Sequence, residues 1–421
     1  MAPDRARRAS SRAKPLRTLI VSDLHLGSAS RSDVLRSAEL REPLLDAIGD
    51  VDRLILLGDV LELRHGPPRE ALAVARPFFE EVGRALAGRE VVVIAGNHDY
   101  PLMASWRAHR DEQATPDRLG VEQLLAAEQA SPVLHRLAQW AAPARLTAAY
   151  PGMWVRPDVY AMHGHYLDCH LTVPTLERLS VGAMGRLLNR PPWALASVED
   201  YETVTAPVYA WRHEVARHVG TGVALNGVGT VHAWRALGGG GDARRGRAGR
   251  AARGGRRGTT AGNRRLAAAW AAAWRDLRRR ALVGGFTLTV AALNRAGLGP
   301  LRTDISSGEL RRAGLRAMGE VAVRLGLDGA YVVFGHTHRA GPLPGDRQSE
   351  WQGERQPTTS SAAPRLVNAG CWTYDAAFLT PVSGESPYWP GTCVLVEDSG
   401  PPVLVRLLSE RSHAQLRPLP A

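Results

Sequence analysis

The chain is almost without lysine and contains little cysteine for its 421 residues. Lys14 is the only lysine, so arginine carries nearly all of the positive charge. The three cysteines are too few and too scattered to form a disulfide framework or a thiolate metal cluster. We therefore expect a protein of the reducing cytoplasm that does not depend on disulfide bonds.

Long hydrophobic runs are missing as well. The most apolar stretch, residues 281–293, ends at Asn294 and Arg295 and is shorter than the roughly 20 residues that a membrane-spanning helix needs. The first sixteen residues are basic and polar, and the apolar run that follows, residues 19–21, is too short for the core of a secretion signal. These absences predict a cytoplasmic protein whose only expected membrane contact is peripheral.

The formal charge of +12 is concentrated in two segments. Residues 1–17 carry six basic residues against one aspartate, and residues 242–265 carry nine arginines against one aspartate. The remainder of the chain is close to neutral. Segments of such composition cannot bury enough apolar surface to fold. We therefore predict a disordered basic tail over residues 1–16 and a disordered Gly/Arg-rich segment over residues 238–263.

Outside these segments, apolar β-rich runs alternate with helical patterns, of which residues 32–47 and 69–87 are the clearest. The strand-like runs are residues 18–21, 53–57, 91–95, 159–162, 331–334, 366–368, 393–397 and 403–407. This alternation is typical of an α/β layered domain.

Two stretches with a helical pattern interrupt the alternation. They are residues 104–145, with helices expected over 120–130 and 132–142, and the longer residues 171–305. Ser306 and Glu309 then form a capping-box pattern ahead of an apolar-periodic segment. This pattern predicts that a helix begins there and that the core domain resumes.

Five of the strand-like runs end in a polar cluster. The clusters are Ser-Asp-Leu-His at 22–25, Gly-Asp at 58–59, Gly-Asn-His-Asp at 96–99, His-Gly-His at 163–165 and Gly-His-Thr-His at 335–338. In α/β sheets, ligand sites form beyond the carboxyl ends of the strands. Because residues i and i+2 of an extended segment point to the same side, we expect Asp23 with His25, and His336 with His338, to face one shared site. The glycines at 58, 96, 164 and 335 are expected to allow sharp turns there.

The side chains in these clusters offer oxygen and imidazole ligands and no sulfur. The candidate metal ligands are Asp23, His25, Asp59, Asn97, His163, His336 and His338. Such a set favours Mn²⁺, Fe or Zn²⁺, and seven ligands exceed the three or four that one catalytic zinc takes. They suit two divalent metal ions roughly 3.5–4 Å apart, as in two-metal phosphoester hydrolysis.

The order Asp-x-His, Gly-Asp-x-x-Glu, Gly-Asn-His-Asp, His and Gly-His-Thr-His resembles the calcineurin-like metallophosphoesterase superfamily. The resemblance implies a four-layer α/β/β/α sandwich of two mixed sheets. It divides the metallophosphoesterase domain into residues 17–170 and 306–421. A mostly helical, cap-like insertion, residues 171–305, is expected between the two parts.

The resemblance also implies a role for each site residue. Asp23, His25 and His338 would hold the first metal, Asn97, His163 and His336 the second, and Asp59 would bridge them. Mn²⁺ is the expected ion, and a hydroxide between the metals would attack the phosphorus in line. His98 matches the histidine that contacts the phosphate and protonates the leaving oxygen. Glu62 lies where many members place an acidic residue that orients this histidine.

Other polar residues near these clusters are weaker candidates. His165 and Arg339 are candidates for substrate binding, although hydrogen-bonded support or plain surface is the more ordinary interpretation. The same holds for Asp168 and His170. The run from Asn368 to Trp372 resembles a segment that often follows the last metal histidines, and we interpret it as scaffold.

The insertion, residues 171–305, is expected to determine the substrate specificity. It contains five of the eleven tryptophans, which either pack helices or line an apolar groove or a membrane-facing side. Beside arginine tracts, an apolar groove would suit an anionic amphiphile. The cytoplasmic UDP-2,3-diacylglucosamine hydrolases, which carry similar motif blocks and a lid over lipid chains, make a nucleotide-linked lipid the leading example of a phosphoester substrate.

Two alternatives remain open. Arginine tracts supply sequence-independent affinity for phosphates, so the chain could be a nuclease or another nucleic-acid phosphoesterase. No recognised nucleic-acid-binding module accompanies the tracts, and this alternative is not favoured. The other is a catalytically inactive interaction scaffold. Inactive members of the superfamily usually lose metal ligands, whereas this chain keeps all seven candidates.

Overall fold

The computed structural model describes residues 16–113, 117–219, 285–353 and 362–417. Within these ranges the chain forms a mixed α/β fold, as the sequence predicts. The basic tail apart from Leu16, and the whole Gly/Arg-rich segment, fall outside the described residues. The proposed division into two domain parts and an insertion stays a prediction.

Ten strands form the core of the fold. They are β1 (Thr18–Val21), β2 (Arg53–Leu57), β3 (Glu90–Ile94), β4 (Glu122–Ala126), β5 (Arg145–Arg156), β6 (Val159–Met162), β7 (Tyr331–Phe334), β8 (Arg365–Asn368), β9 (Thr392–Val396) and β10 (Val403–Arg406).

Helices of varied length flank the strands. The α-helices are α1 (Ala38–Gly49), α2 (Pro68–Ala85), α3 (Ala104–Asp111), α4 (Ala127–Ala130), α5 (Pro132–Ala141), α6 (Leu176–Leu187), α7 (Val198–Val219), α8 (Ser307–Arg324) and α9 (His413–Leu416). Residues 285–293 are helical too.

All ten strands belong to one hydrogen-bonded mixed sheet, where two sheets were predicted. The order is β10-β9-β1-β2-β3-β5-β6-β7-β8, with β4 paired to β5. The twelve-residue β5 joins the two halves, because residues 145–149 pair parallel with β3 and residues 152–156 pair antiparallel with β6. The predicted count of four layers stays a prediction.

The sheet curls around an apolar cluster that consists almost entirely of strand residues. Along β1, Leu19 and Val21 face a cluster that α1, α2 and α5 complete, whereas Ile20 faces the opposite side. Ile20 joins a cluster built from residues of β1, β2, β3 and β5–β9, together with Ala369 next to β8. A third cluster packs β6, β7 and β8 against α6, α7 and α8. The period of two thus places both faces of the sheet in apolar cores.

The helix predicted over residues 120–130 is wrong at residues 122–126, which form β4, and right at residues 127–130, which form α4. The sequence pattern also misses β5. Residues 122–126, Glu-Gln-Leu-Leu-Ala, are good helix formers, yet they pair antiparallel with β5. Pro151 and Gly152 lie inside β5 and hide its strand pattern. Pairing with neighbouring strands overrides local propensity at both places.

The predicted start of α8 is confirmed. Ser306 is the N-cap, and its Oγ accepts a hydrogen bond from the Glu309 backbone N–H at 3.2 Å. The Glu309 carboxylate does not complete the capping box but binds Arg312 and Arg316.

The described parts of residues 171–305 are helical, with α6 and α7 packed on each other and on α8 through the third cluster. Trp193 and Trp211 lie in this region and are 71% and 56% exposed. The other three tryptophans of the region fall outside the described residues. In the part of the chain that the structure describes, no helix is long and apolar enough to span a bilayer.

Candidate metal centre

The predicted ligands follow the carboxyl ends of β1, β2, β3, β6 and β7, and five of them have an unusual backbone. Asp23, His25, Asp59, His336 and His338 have φ between 47° and 65°. Non-glycine residues rarely adopt this left-handed conformation, and such residues cluster at functional sites. The side chains of Asp23 and His25 do converge, but the reason predicted from an extended segment is wrong, because left-handed turns aim them inward.

The four glycines of the motifs serve two different purposes. Gly58 and Gly164 have φ of 79° and 103°, so they permit turns that other residues resist. Gly96 and Gly335 are needed for space: a Cβ at Gly96 would lie 2.2 Å from Asp59 Oδ1, and one at Gly335 would lie 1.9 Å from Ser22 Oγ. Both effects let the strand-end loops approach each other closely.

Asp23, His25 and His338 form the first ligand group. His338 Nε2 lies 3.2 Å from Asp23 Oδ1 and 3.2 Å from His25 Nε2. Asp23 Oδ2 is held by the His336 backbone N–H at 2.9 Å, but among the described residues the buried Oδ1 has no partner beyond its ion-pair contacts with His338 and His25. An anionic oxygen buried in this way among imidazole nitrogens needs a cation.

Asn97, His163 and His336 form the second group together with Asp59. Asn97 Oδ1 lies 3.1 Å from His163 Nε2, and the same side-chain position lies 3.2 Å from both His336 Nδ1 and Asp59 Oδ2. With both imidazoles neutral and the carboxylate ionised, the four atoms Asn97 Oδ1, His163 Nε2, His336 Nδ1 and Asp59 Oδ2 would each direct a lone pair to the same point. Rotating the amide would place its nitrogen among them instead, so a metal at this position requires the oxygen to face inward.

Asp59 is the residue that the two groups share. Its Oδ2 lies 3.3 Å from His163 Nε2 in the second group and 3.7 Å from His25 Nε2 in the first. Its Oδ1 accepts a hydrogen bond from the His98 backbone N–H at 2.7 Å. One carboxylate oxygen of Asp59 therefore lies near ligand atoms of both groups.

Each of the four candidate ligand imidazoles has one ring nitrogen that faces away from the other ligand atoms, and each of these nitrogens has a hydrogen-bond partner. His25 Nδ1 lies 3.1 Å from Glu62 Oε2, and His163 Nδ1 lies 3.0 Å from the carbonyl oxygen of Leu57. The corresponding pairs are His336 Nε2 with Asp168 Oδ2 at 3.1 Å and His338 Nδ1 with Thr373 Oγ1 at 3.3 Å. A neutral imidazole that donates outward presents its lone pair inward, which is the arrangement that metal ligation needs.

Charge balance within the centre also fits cations. Burial by itself raises the pKa of Asp59, but His163 and His98 bring it well below its usual value. Burial likewise opposes ionisation of Asp23, yet His338 lowers its pKa to about 2. For His163, burial lowers the pKa and Asp59 raises it, to about 9. Ionised carboxylates hold protons on these imidazoles, and divalent ions would take the place of those protons.

His98 and Glu62 lie directly beside the two groups. Glu62 Oε2 lies 2.8 Å from His98 Nδ1, as the predicted pairing requires, and the same oxygen contacts His25. His98 Nε2 lies 3.9 Å from Asp59 Oδ2 and so faces the centre. Glu62 therefore positions both a ligand and the candidate acid.

Several supporting residues gave no clear signal in the sequence. Asp99 accepts hydrogen bonds from the backbone N–H groups of Val60 at 2.6 Å and Gly96 at 2.6 Å, and so ties two ligand loops together. Asn368 donates to the Gly335 carbonyl at 3.0 Å and supports the loop of His336, in line with its predicted scaffold role. Asp99 could have been suspected only because it ends the Gly-Asn-His-Asp block.

The two weaker substrate candidates lie in different surroundings. His165 is buried against the rings of His163 and Tyr209, and neither of its nitrogens has a hydrogen-bond partner in the part of the chain that the structure describes. Arg339 donates to Asp346 at 2.7 Å and packs over Trp351. A substrate-binding role for either residue stays a prediction.

Comparison with known proteins gives one family. Residues 16–206 match the family model of the calcineurin-like phosphoesterases, a range that includes five of the seven candidate ligands and stops before His336 and His338. No curated protein matches the chain. Members of this family typically hold two divalent metal ions, and the two ligand groups fit such a pair. This match over residues 16–206 supports the resemblance to the calcineurin-like metallophosphoesterase superfamily, a family that implies metal-dependent hydrolysis of phosphoesters.

Proposed function

We propose that this chain hydrolyses a phosphoester or pyrophosphate bond with two divalent metal ions, held by the two ligand groups described above. The observation that carries the proposal is the position of Asp59 Oδ2, which lies within reach of both groups. Two sets of inward-facing lone pairs that share one carboxylate suit a pair of ions better than a single one.

The protein's own residues account for the remaining chemistry. When bound, the two ions would polarise the phosphoester and make a water molecule nucleophilic at neutral pH. His98, fixed through Nδ1 by Glu62, directs Nε2 toward the centre and would protonate the leaving oxygen. Burial lowers the pKa of His98 to about 4, so an anionic phosphate beside the ring is needed to raise that pKa and favour the protonated imidazole.

Mn²⁺ is the ion we propose, with Fe and Zn²⁺ as the alternatives. The ligand set combines imidazole nitrogens with carboxylate and amide oxygens, which borderline ions accept. No cysteine of the described residues takes part, and burial raises the pKa of the nearby Cys169 thiol and so disfavours the thiolate.

For the substrate, we propose an anionic amphiphile such as a nucleotide-linked lipid, met by a cytoplasmic protein at the membrane surface. Large apolar side chains are exposed on the helical region over residues 171–305. They are Leu187, Leu188, Trp193, Trp211 and Leu288. Exposed apolar side chains within one range of the sequence support contact of that range with a lipid or another apolar partner.

Two substitutions test the metal-dependent reaction. Asp59→Asn should abolish both binding of Mn²⁺ and hydrolysis of bis(p-nitrophenyl) phosphate, because the bridging charge is lost. His98→Ala should retain the metal but slow turnover by roughly 10²–10⁴-fold, the usual contribution of general acid–base catalysis. The matched controls are Asp375→Asn and His135→Ala, at positions outside the centre. Normal turnover by the His98 variant would show that its assigned role is wrong.

A substrate screen tests the amphiphile. The purified protein, supplied with Mn²⁺, is assayed on phosphomonoesters, cyclic nucleotides, nucleic acids and nucleotide-linked lipids. We expect the highest kcat/KM for the lipid-linked pyrophosphates. A preference for nucleic acid that is lost on deletion of residues 238–263 would contradict the amphiphile and support the nuclease alternative.

A further inference from the structure

Arg64 lies beside the metal centre, and the orientation of the Asn97 amide decides whether that amide can accept hydrogen bonds from its guanidinium. When Asn97 Oδ1 faces the ligand atoms, the amide nitrogen of Asn97 lies 3.1 and 3.2 Å from the two terminal nitrogens of Arg64. Both groups are donors, so they cannot bond each other. Arg64 Nε is buried and has no hydrogen-bond partner among the described residues. An acceptor shared by the amide and the guanidinium would satisfy both.

Helix α7 closes the other side of this guanidinium. The Tyr209 ring lies 5.5 Å from Arg64 Cζ. Tyr209 is 1% exposed, and its hydroxyl has no hydrogen-bond partner within the described residues. A buried hydroxyl without a partner costs free energy, so a ligand oxygen that accepts from it would remove that cost.

Arg212 adds a second positive charge. It lies three residues after Tyr209 on α7 and forms an ion pair with Glu177 Oε1 of α6 at 3.0 Å. Burial lowers the pKa of Arg64, and the charge of Arg212 lowers it further. The carboxylates of Asp59, Glu177 and Glu62 act in the opposite direction, but Asp59 is committed to the metal centre and Glu177 to Arg212.

We propose that Arg64, Tyr209 and Arg212 form an anion subsite that binds a second phosphate of the substrate, next to the phosphate held at the metal centre. The proposal rests on the proposed function and narrows its substrate to compounds with two adjacent phosphate groups. Guanidinium groups bind phosphate oxygens through paired N–H donors. Arg64 would supply these donors and Tyr209 a hydroxyl donor, and Arg212 would add positive charge that its ion pair with Glu177 partly offsets.

The test measures binding, so that it does not depend on turnover. Calorimetry compares methylenediphosphonate, which cannot be hydrolysed, with inorganic phosphate on Mn²⁺-loaded protein freed of excess metal. Arg64→Gln should weaken methylenediphosphonate binding by about 10–100-fold, as loss of a charge-assisted hydrogen bond implies, and phosphate binding by less than about threefold. The metal content should be unchanged. Arg190→Gln, an exposed arginine paired with Asp200, is the matched control and should bind both probes normally.

Tyr209→Phe gives a second variant that should fold normally, because it removes only a hydroxyl without a partner. It should weaken methylenediphosphonate binding by about 3–10-fold and leave phosphate binding unchanged. Unchanged diphosphonate binding in both variants, or equal loss of both probes, would overturn the subsite. If the wild-type protein binds the diphosphonate through Arg64 but hydrolyses no phosphoester, the proposed function fails while the subsite stands.

Discussion

At the scale of single residues, the centre depends on outer partners as much as on ligands. The ligands Asp23, Asp59 and His338 have left-handed backbones, which cost about 1–3 kcal/mol each. Surrounding hydrogen bonds must therefore hold these three backbones in the left-handed conformation. The Trp372 backbone N–H, for example, binds the Asp23 carbonyl at 3.0 Å, and Asn368 supports the loop of His336.

Asp168 provides the sharpest test of this support. It is buried, and its Oδ2 lies 3.1 Å from His336 Nε2. Asp168→Asn can place an amide nitrogen toward the ring and so favour the wrong tautomer of His336. We expect the affinity for Mn²⁺ at one site to fall roughly 10–100-fold, measured by titration of the metal-free protein. Asp375→Asn should bind both ions normally, and an unchanged affinity in the Asp168 variant would contradict the role.

Residue spacing predicted the ligands but not their supports. The motif Gly-His-Thr-His places two imidazoles two residues apart whatever the rest of the fold, so the sequence names His336 and His338 as candidate ligands. Asp168 was only a weak candidate, because its partner His336 lies 168 residues away along the chain. No local pattern links residues at that separation.

At the scale of elements, the sequence predicted eight of the ten strands to within one residue but missed β4 and β5. The apolar periodicity of α2 and the cap of α8 operate within one segment, and α2 lies close to its predicted bounds while α8 begins where the cap predicted. β4 and β5 depend on pairing with partners elsewhere in the chain. Strand formation there is a property of the neighbours rather than of the segment.

The N-cap of α8 provides a test of how much a local hydrogen bond contributes to the stability of the fold. Ser306→Ala removes the acceptor of the Glu309 N–H and should lower the free energy of unfolding by about 1 kcal/mol. Urea unfolding followed by circular dichroism measures the change. Ser383→Ala, in an exposed loop, should change it by less than about 0.5 kcal/mol. Equal stability of the two variants would show that the cap contributes little.

At the scale of the whole molecule, both ends of the described chain complete the same sheet. β1 pairs with β9, and β6 pairs with β7, so in the first half of the chain by itself β1 and β6 would each have one unpaired edge. His336 and His338 also come from the second half. The metal centre and the sheet therefore form only when both halves are present.

A truncated chain tests this dependence. Residues 16–206, the range that matches the family, should not bind two Mn²⁺ ions and should aggregate through the exposed edges of β1 and β6. Gel filtration and metal analysis measure both properties, with the full chain as the control. A monomeric fragment with two bound ions would contradict the expectation.

The sequence by itself determined the seven candidate ligands, the candidate acid His98 with its partner Glu62, and the α/β class, because these follow from short motifs and local periodicity. Only the tertiary structure decided which groups the ligands form, how β5 joins the strands in one sheet, and that Arg64 meets α7 beside Asn97. The physical reason is that such contacts join residues far apart in the chain. Their geometry exists only after the sheet has curled and the helices have packed against it.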